Sequence, residues 1–498
     1  MRFIPIFLLA CAGSGTLEAD TDPVAVTVAP TGTSGGGTGG TGTGGGTATG
    51  GGAGTGGGAG TGAGTGTGTG TGSTAHPCDG ARWTSNLPIL LIDTLGGTIV
   101  DDPRITAQLT VIDHPDGINC MERGPSGYDG AIAIEYRGST SQNHPKKSYG
   151  FETQTEDGEN NNVELLGLPR ENDWVLNAPY SDKTMIRNVL AYGLFTSMGR
   201  YASRTVYNEL IINGEYWGVH ILLEKVKIDN DRVDLARLGP DDVDGEAVTG
   251  GYIVKVDKPT GAGDITWESE FAERYNWQHH DPGEDELTRE QGAYIQDYTV
   301  EFERALASPD FADPDRGYAA YADVDSLVDF MIMQELGRTV DGYRSSTFVH
   351  KDRGGKLVMG PMWDFNISFG HADYCDAWLT TGWQWNFNET CPWFDTQIPF
   401  WWQRLLEDPA YTTRLRCRWE ELREGSFAPD AIEDRIDAAV AELEASQERN
   451  YVKWPILGVY IDWNPYVGAT WDDDVTYLRE WVAERAEYMD STLPGVCR

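Results

Sequence analysis

Short runs of alternating apolar and polar residues fill the front half of the chain and predict β-strands. The clearest pair flanks Asn213-Gly214, the dipeptide that most strongly indicates a two-residue hairpin turn. Ala131-Ile-Ala-Ile-Glu-Tyr-Arg-Gly alternates in the same way. Further strands are predicted at 88–94, 107–113, 147–152, 206–212, 217–224 and 251–257. We therefore expect this part of the chain to be rich in sheet.

The pattern changes after residue 288, where apolar residues recur at intervals of three and four, as on one face of a helix. One such segment also occurs earlier, at 183–198, where we expect Asp182 to cap the first turn and Gly199 to end the helix. The later helices are predicted at 291–307, 324–337, 402–407, 411–423, 429–447 and 471–488. A β-rich N-terminal part and a helix-rich C-terminal part predict an α+β, two-lobed fold with a cleft between the lobes.

Two aspartates flank a predicted hairpin. Residues 347–351 and 356–359 alternate like two strands joined by the turn Asp352-Arg-Gly-Gly. Asp341 precedes the first strand and Asp364 follows the second. Because a hairpin returns the chain to the edge where it began, we expect both carboxylates in one cleft. Protein kinases use this layout: one aspartate accepts the proton of the substrate hydroxyl, and the other holds Mg²⁺ on the ATP phosphates.

The N-terminus carries a targeting pattern. Residues 1–11 have one positive charge and a short apolar run before Cys11, which resembles a bacterial lipoprotein signal with Cys11 as the lipidated residue. Ala12 after the cysteine favours the outer membrane of a Gram-negative bacterium. The alternative is a secretory signal followed by a free extracellular protein. Residues 12–76 are largely Gly, Thr, Ser and Ala and predict a disordered linker.

The rest of the chain is long enough for a substantial core. We expect residues 131–498 to form the main domain and residues 77–130 to be either a small β-rich module or an N-terminal extension. The formal net charge of −39 argues against nucleic acid or anionic lipid as a partner, because both would be repelled. Contact with a membrane is therefore expected only through the lipid anchor.

The cysteines predict disulfides. Of seven cysteines, six remain after Cys11, an even number for a chain that enters an oxidising compartment. Six cysteines allow fifteen connectivities. Among these we predict Cys375–Cys391, which closes a Trp-rich loop, together with Cys78–Cys120 and Cys417–Cys497.

Several motifs in one consistent order give the chain a resemblance to a known family. They are Arg137-Gly-Ser-Thr with Pro145-Lys-Lys-Ser-Tyr, Trp174-Val-Leu-Asn-Ala with Asp182-Lys-Thr-Met-Ile-Arg-Asn, Ile212-Asn-Gly-Glu-Tyr-Trp-Gly-Val-His-Ile-Leu-Leu-Glu, Asp323-Val-Asp-Ser-Leu-Val-Asp-Phe, Asp341-Gly-Tyr-Arg-Ser-Ser-Thr and Gly360-Pro-Met-Trp-Asp-Phe-Asn. Together they resemble the spore coat protein H (CotH) kinase-like family, over about residues 131–370. The resemblance implies an atypical, much diverged protein kinase fold that transfers phosphate from ATP, with Mg²⁺ or Mn²⁺, to coat proteins.

The resemblance also implies roles for individual residues. Asp341 would accept the proton of a Ser or Thr hydroxyl, and Asp364 would bind Mg²⁺, since a hard cation prefers carboxylate oxygen. Lys147 follows the Arg137-Gly138 loop, where its ammonium and the Arg137 guanidinium would contact the nucleotide phosphates. Lys146 points to the opposite face of the same strand and is the weaker candidate.

Each role has a structural alternative. Asp341 would otherwise be a turn carboxylate, Asp364 a carboxylate bound by backbone N–H groups, and Lys147 a surface residue. Glu224 ends an apolar strand and would pair with Lys147 at the nucleotide. As plain structure it would instead pair with one of two basic residues, Lys225 or Arg187.

The second metal ligand of ordinary kinases is missing from its usual place. Those kinases keep an Asn five residues after the catalytic Asp, where this chain has Ser346. Asn366 would substitute for it, or the site holds a single cation.

Three functions fit these patterns. The first is a CotH-like kinase that phosphorylates Ser or Thr of extracytoplasmic or envelope proteins, bound to the cell envelope by its lipid. The second keeps the fold without the reaction, as a surface adhesin or envelope scaffold, and is favoured by the scarcity of ATP outside the inner membrane. Transfer of AMP or another nucleotide fragment would use the same cleft.

Overall fold

A computed structural model describes residues 76–258, 266–271, 275–283 and 286–497. All of them belong to one unit, Ser73–Arg498. The expected signal peptide with Cys11, and the expected linker up to residue 75, lie outside the described residues.

A closed sheet of seven strands, the barrel, forms the N-terminal part, with the strand order β1-β2-β3-β4-β7-β9-β8. Neighbouring strands are antiparallel except for the closing pair β1 and β8, which is parallel. The strands are β1 Ile89–Asp93, β2 Ile105–Ile112, β3 Asp129–Arg137, β4 Ser148–Thr153, β7 Asp173–Asn177, β8 Thr205–Ile212 and β9 Glu215–Glu224. Strands β5 Val163–Leu165 and β6 Leu168–Glu171 form a separate pair between β4 and β7.

The alternation seen in the sequence separates the two faces of the barrel. On β3, Ile132 and Ile134 belong to the core cluster that fills the barrel, and on β4 so do Tyr149 and Phe151. Successive strand residues point to opposite faces, so Arg137 at the end of β3 lies on the outer face. This direction decides what Arg137 contacts.

Residues 77–130 supply the first two barrel strands. Strand β1 pairs with β2 on one side and with β8 on the other, and β2 pairs with β3. The sequence left open whether this segment forms a separate module. In the structure its strands close the same barrel that carries Arg137.

A second, five-stranded antiparallel sheet follows, with the order β11-β12-β10-β13-β14. Its strands are β10 Tyr252–Val256, β11 Thr266–Glu268, β12 Asn276–Asp281, β13 Thr347–Lys351 and β14 Leu357–Met359. The predicted hairpin is β13 and β14, and β10 pairs along β13 with Val256 opposite Thr347. The end of β10 therefore lies beside the beginning of the hairpin.

Helices make up most of the C-terminal part. They are α1 Arg187–Ser197, α2 Arg289–Ala307, α3 Val324–Gly337, α4 Phe387–Thr390, α5 Trp401–Leu406, α6 Pro409–Arg423, α7 Pro429–Lys453 and α8 Trp471–Thr492. Single 3₁₀ turns occur at Met121–Arg123, Thr140–Asn143, Ala247–Thr249, Tyr318–Ala320 and Gln384–Asn386. Several helices begin with a side chain that accepts a backbone N–H of the first turn. At α2, Thr288 and Gln291 form a capping box of this kind. The fold is a mixed α+β fold, as expected.

One predicted helix begins later than expected. The sequence suggested a start at Lys183, but α1 begins at Arg187 because Met185 adopts a left-handed backbone, with φ of 63°. Asp182 still accepts the Arg187 backbone N–H, at 3.1 Å, and also forms an ion pair with its guanidinium. The N-cap residue of α1 is therefore Ile186 and not Asp182 as predicted, because a non-helical turn separates Asp182 from the helix.

All three predicted disulfides are present: Cys78–Cys120, Cys375–Cys391 and Cys417–Cys497. Such bonds are typical of exported proteins. Tryptophans are frequent between residues 378 and 402. Of these, Trp401 and Trp402 are fully buried in the core, whereas Trp393 is 72% exposed. Among the helices of the described residues, none combines the length and the apolar character needed to cross a membrane.

Candidate active site

The hairpin brings Asp341 and Asp364 into electrostatic contact. Helix α3 ends at Gly337, and the loop that follows carries Asp341 to the start of β13. Asp364 follows β14, on the loop that leaves the hairpin. The Asp341 charge helps to raise the pKa of Asp364, so the two carboxylates lie near each other as the sequence predicted.

Asp364 has an unusual environment for an aspartate. Its backbone is left-handed, with φ of 65°. Its side chain is exposed to water at one side, while the surrounding protein raises the pKa from 3.8 to about 6 by burial. Asp341 and Asp257 add to this increase by repulsion, and Arg137 and Lys258 oppose it. The negative charge around the Asp364 carboxylate is thus only partly compensated by the two nearby basic side chains.

Helix α1 fixes the backbone around Asp364. The side-chain oxygen of Asn188 accepts the Phe365 N–H at 2.7 Å, and the Tyr192 hydroxyl accepts the Asp364 N–H at 3.0 Å. Asn188 and Tyr192 are four residues apart and therefore lie on the same face of the helix. Arg187, also on α1, donates its Nε–H to the carbonyl of Ser368, which lies four residues after Asp364 on the same loop, at 3.0 Å.

An aromatic stack joins the barrel to the same loop. The Arg137 guanidinium lies 4.9 Å from the ring centre of Trp363, and the Trp363 and Tyr192 rings stack at 6.3 Å with an interplanar angle of 19°. Burial lowers the pKa of Arg137, while the Asp364 charge opposes the change. Arg137 therefore lies near Asp364, through its contact with the neighbouring Trp363.

The Asp341 loop is tightly packed. Ser345 donates its backbone N–H to the Asp341 carbonyl at 3.0 Å, which closes a turn. A side chain at Gly342 would place its Cβ 2.8 Å from the Thr339 backbone carbonyl oxygen and 2.2 Å from the Gln334 amide oxygen, which favours glycine there. The Asp341 carboxylate forms an ion pair with Arg344 and is about one-third exposed.

Two of the predicted site residues have their contacts elsewhere. Lys147 donates to the Gln142 carbonyl, and its ammonium lies 5.9 Å from the Tyr136 ring. Glu224 is buried and forms a two-point ion pair with Arg204, at 2.7 and 2.9 Å. The partner of Glu224 is thus none of the three suggested by the sequence, Lys147, Lys225 and Arg187. Arg204 immediately precedes β8, and the predicted β8–β9 hairpin brings it opposite Glu224, so the sequence held a signal for this pair that was overlooked.

Lys146 is also placed away from Asp364. It is almost fully buried, and its ammonium donates to the Asn450 side-chain oxygen on α7 at 2.9 Å. Burial lowers the pKa of Lys146 to about 7.

Asn366 offers a free oxygen next to Asp364 in the chain. Its buried side-chain oxygen has no hydrogen-bond partner among the described residues, an arrangement that normally costs free energy. Within the same residues, no hydrogen bond reaches the Asp364 carboxylate, and no three His, Cys, Asp or Glu side chains form a ready metal site. Both oxygens are of the kind that Mg²⁺ binds, because this ion commonly takes one or two protein oxygens and completes its shell with phosphate and water.

Asp257 is a site residue that the sequence analysis missed. It follows β10, accepts the Ser345 hydroxyl at 2.7 Å, and lies 3.6 Å from the Lys255 ammonium. The strand itself was predicted, and its last polar residue was a visible signal. What was not visible is the pairing of β10 with β13, which carries Asp257 to the Asp341 loop.

Taken together, the arrangement places two carboxylates of different surroundings near an arginine and an unpaired amide oxygen. The Asp341 carboxylate is paired with a guanidinium, whereas the Asp364 carboxylate receives no hydrogen bond within the described part of the chain and faces excess negative charge. This combination suits binding of a divalent cation beside a group that accepts a proton.

Comparison with known proteins supports one family. No curated protein matches the chain. A family model described as CotH kinase protein matches residues 134–489, which is well over half of the chain and includes every candidate residue from Arg137 to Asn366. The chain therefore belongs to the CotH kinase protein family.

Proposed function

We propose that the protein is an ATP-dependent kinase that transfers the γ-phosphate to Ser or Thr hydroxyls of exported proteins. In this proposal the barrel and the helical part act as the two lobes of a kinase-like fold, with the nucleotide between them. The observation that carries the proposal is the approach of Asp341 and Asp364 beside Arg137, in a chain of the CotH kinase protein family.

Asp364 and Asn366 are the residues that would hold Mg²⁺ or Mn²⁺. The Asp364 carboxylate has excess negative charge around it, and the Asn366 amide oxygen has no partner in the described residues. When bound, the cation neutralises charge on the phosphates and orients them. The backbone N–H groups of Asp364 and Phe365 donate to Tyr192 and Asn188, which keeps this part of the loop in place for the role.

Asp341 would accept the proton of the acceptor hydroxyl. The hydroxyl oxygen would then bond to the γ-phosphorus of ATP while ADP leaves. Arg137 would offset phosphate charge, because its guanidinium lies on the outer face of the barrel next to Asp364. For Lys147 and Glu224 a role at the nucleotide remains a proposal. Their contacts join them to other groups, so Lys147→Met and Glu224→Gln should each affect ATP binding less than Arg137→Met.

The cellular setting is part of the proposal. We infer that the protein acts in the cell envelope, attached through lipid on Cys11 to the outer membrane. The three disulfides support an extracytoplasmic location.

The deciding experiment follows radioactive label from ATP into protein. The purified chain is incubated with Mg²⁺ or Mn²⁺ and with ATP labelled at either the α or the γ position, and Asp341→Asn serves as the matched variant. A γ-label signal that Asp341→Asn loses establishes the kinase. An α-label signal indicates nucleotide transfer instead. If neither label enters protein and ATP does not bind with either cation, the adhesin or scaffold function is favoured.

A further inference from the structure

Arg344 holds the Asp341 carboxylate from a buried position. It is 3% exposed, and one terminal nitrogen of its guanidinium donates to Oδ1 of Asp341. The other terminal nitrogen donates to the Thr396 hydroxyl at 2.6 Å, and Nε donates to the Val340 carbonyl at 3.0 Å. All three nitrogens of the planar group are therefore bonded in fixed directions.

A disulfide-closed loop surrounds this arginine. The guanidinium lies 4.6 Å from the Phe387 ring centre and 4.2 Å from the Phe394 ring centre. The Cys375–Cys391 disulfide ties this segment together, and Tyr374, next to Cys375, stacks on Phe394 at 6.0 Å. We define Tyr374–Gln397 as the clamp loop. It supplies both rings and the Thr396 hydroxyl that fix Arg344.

The contact leaves one Asp341 oxygen available. Arg344 occupies Oδ1, whereas Oδ2 receives no hydrogen bond from the described residues. A carboxylate that is partly exposed and unpaired would sample several rotamers, and misplacement by about 1 Å costs roughly 100-fold in rate. Binding one oxygen to a fixed guanidinium holds the other in a single direction.

We propose that Arg344 is a positioning residue that directs Oδ2 of Asp341 toward the acceptor hydroxyl, and that the clamp loop with its disulfide keeps Arg344 in place. This inference rests on the proposed kinase function. It assigns to the disulfide a part in the reaction geometry in addition to stability.

The test compares Arg344→Met, Arg344→Lys and Thr396→Val with wild type in the full chain. Arg404→Met is the matched control, because Arg404, like Arg344, forms an ion pair with an acid three residues away in the chain and lies near a Phe ring, 3.7 Å from that of Phe311. Two readouts are used: steady-state phosphate transfer, which separates kcat from KM for ATP, and hydrogen–deuterium exchange of the peptide covering 339–346.

We expect Arg344→Met to lower kcat by about 100-fold while KM for ATP stays within about twofold, because Arg344 contacts the proton acceptor and not the cation ligand. Arg344→Lys should recover part of kcat, and Thr396→Val should lose less than Arg344→Met. Exchange of 339–346 should increase in the same order, and Arg404→Met should match wild type in both readouts. Wild-type kcat in Arg344→Met, or unchanged exchange, would overturn the inference.

Failure of the proposed function has a different signature. If wild type transfers no phosphate, the kinase function is wrong, and the exchange of 339–346 then decides the positioning inference alone. Increased exchange in Arg344→Met and in Cys375→Ser/Cys391→Ser supports it, and exchange equal to wild type in both variants rejects it.

Discussion

Asp364 combines a left-handed backbone with a carboxylate whose pKa is about 6. Between pH 4 and pH 6 the folded protein binds more of this proton than the unfolded chain does, so this group's contribution to stability falls as the pH rises through that window. Above pH 6 the ionised group opposes folding. A bound cation would remove the penalty, because it compensates the charge that Asp341 and Asp257 leave in excess.

Asp364→Asn should therefore abolish cation binding and slightly stabilise the cation-free protein. At pH 7.5, without divalent ions, we expect its melting temperature to exceed that of wild type by roughly 1–2 °C, a small effect because water reaches the side chain. At pH 4 the difference should vanish, since the wild-type group is then protonated. Calorimetric melts with and without Mn²⁺ check both points, and a lower melting temperature for the variant at pH 7.5 would contradict the argument.

The pH dependence of cation binding gives a second prediction at Asp364. Mn²⁺ must displace the proton, so its affinity should fall by up to about tenfold per pH unit below pH 6. Asp257→Asn removes one repelling charge and should move the onset of this decrease to lower pH. Titration calorimetry from pH 5 to pH 8 measures the onset. Asp229→Asn, in another turn, is the control and should leave the onset where wild type has it.

The sequence predicted part of this site well. Asp341 and Asp364 were found because they flank a short hairpin, and a hairpin requires only local spacing. Arg204 was overlooked, although the predicted β8–β9 hairpin brings it opposite Glu224. Asp257 was missed because its position depends on the pairing of β10 with β13. Pairing between distant segments is set by the packing of the whole sheet, which alternation in one strand does not encode.

Helix α1 is the element that couples packing to the site. Asn188 accepts the buried Phe365 N–H at 2.7 Å. In Asn188→Ala that donor would remain unpaired, which costs about 1–3 kcal/mol of unfolding free energy and releases the Asp364 loop. We expect lower stability together with weaker Mn²⁺ affinity.

Asn450 on α7 provides the matched control for that prediction. Its side-chain oxygen also accepts a backbone N–H from a buried strand residue, Val219, at 3.2 Å. Asn450→Ala should lose at least as much stability in urea unfolding, because the same oxygen also accepts the buried Lys146 ammonium, but should keep the Mn²⁺ affinity of wild type. If both variants lose affinity equally, the effect of Asn188→Ala is global destabilisation and not a local release of the loop.

Single strands, hairpins and helices were easier to predict than the way in which the strands pair into sheets. The β8–β9 hairpin was found from Asn213-Gly214, and both residues take positive φ, of 52° and 78°. The closure of the barrel by the parallel pair of β1 and β8 had no local signal, since it joins strands more than a hundred residues apart. Strands β5, β6 and β7 also went unpredicted as strands, because they are short and the chain between them turns at Leu166 and Gly167.

At the scale of the whole molecule, we expect two of the disulfides to differ in how much they contribute to stability and to the geometry of the reaction. Cys417–Cys497 spans 80 residues and links α6 to a residue beyond α8, whereas Cys375–Cys391 spans 16 residues and closes residues 375–391 of the clamp loop. The entropy that a crosslink removes from the unfolded chain grows with the loop it closes, which predicts about 4.5 kcal/mol for the first and about 3 kcal/mol for the second. Cys417→Ser/Cys497→Ser should thus lose more stability.

Activity should show the opposite order. The long disulfide touches none of the groups around Asp341, so its removal should leave kcat near that of wild type below the unfolding transition. Removal of the short one should lower kcat, because Phe387 lies within the segment it closes, and Phe394 and Thr396 follow Cys391 by three and five residues. Urea unfolding and phosphate transfer on the same two double variants provide the comparison. If kcat instead followed stability across the pair, the short disulfide would be a crosslink like the other, and Asp341 would owe its orientation to α3 and the hairpin alone.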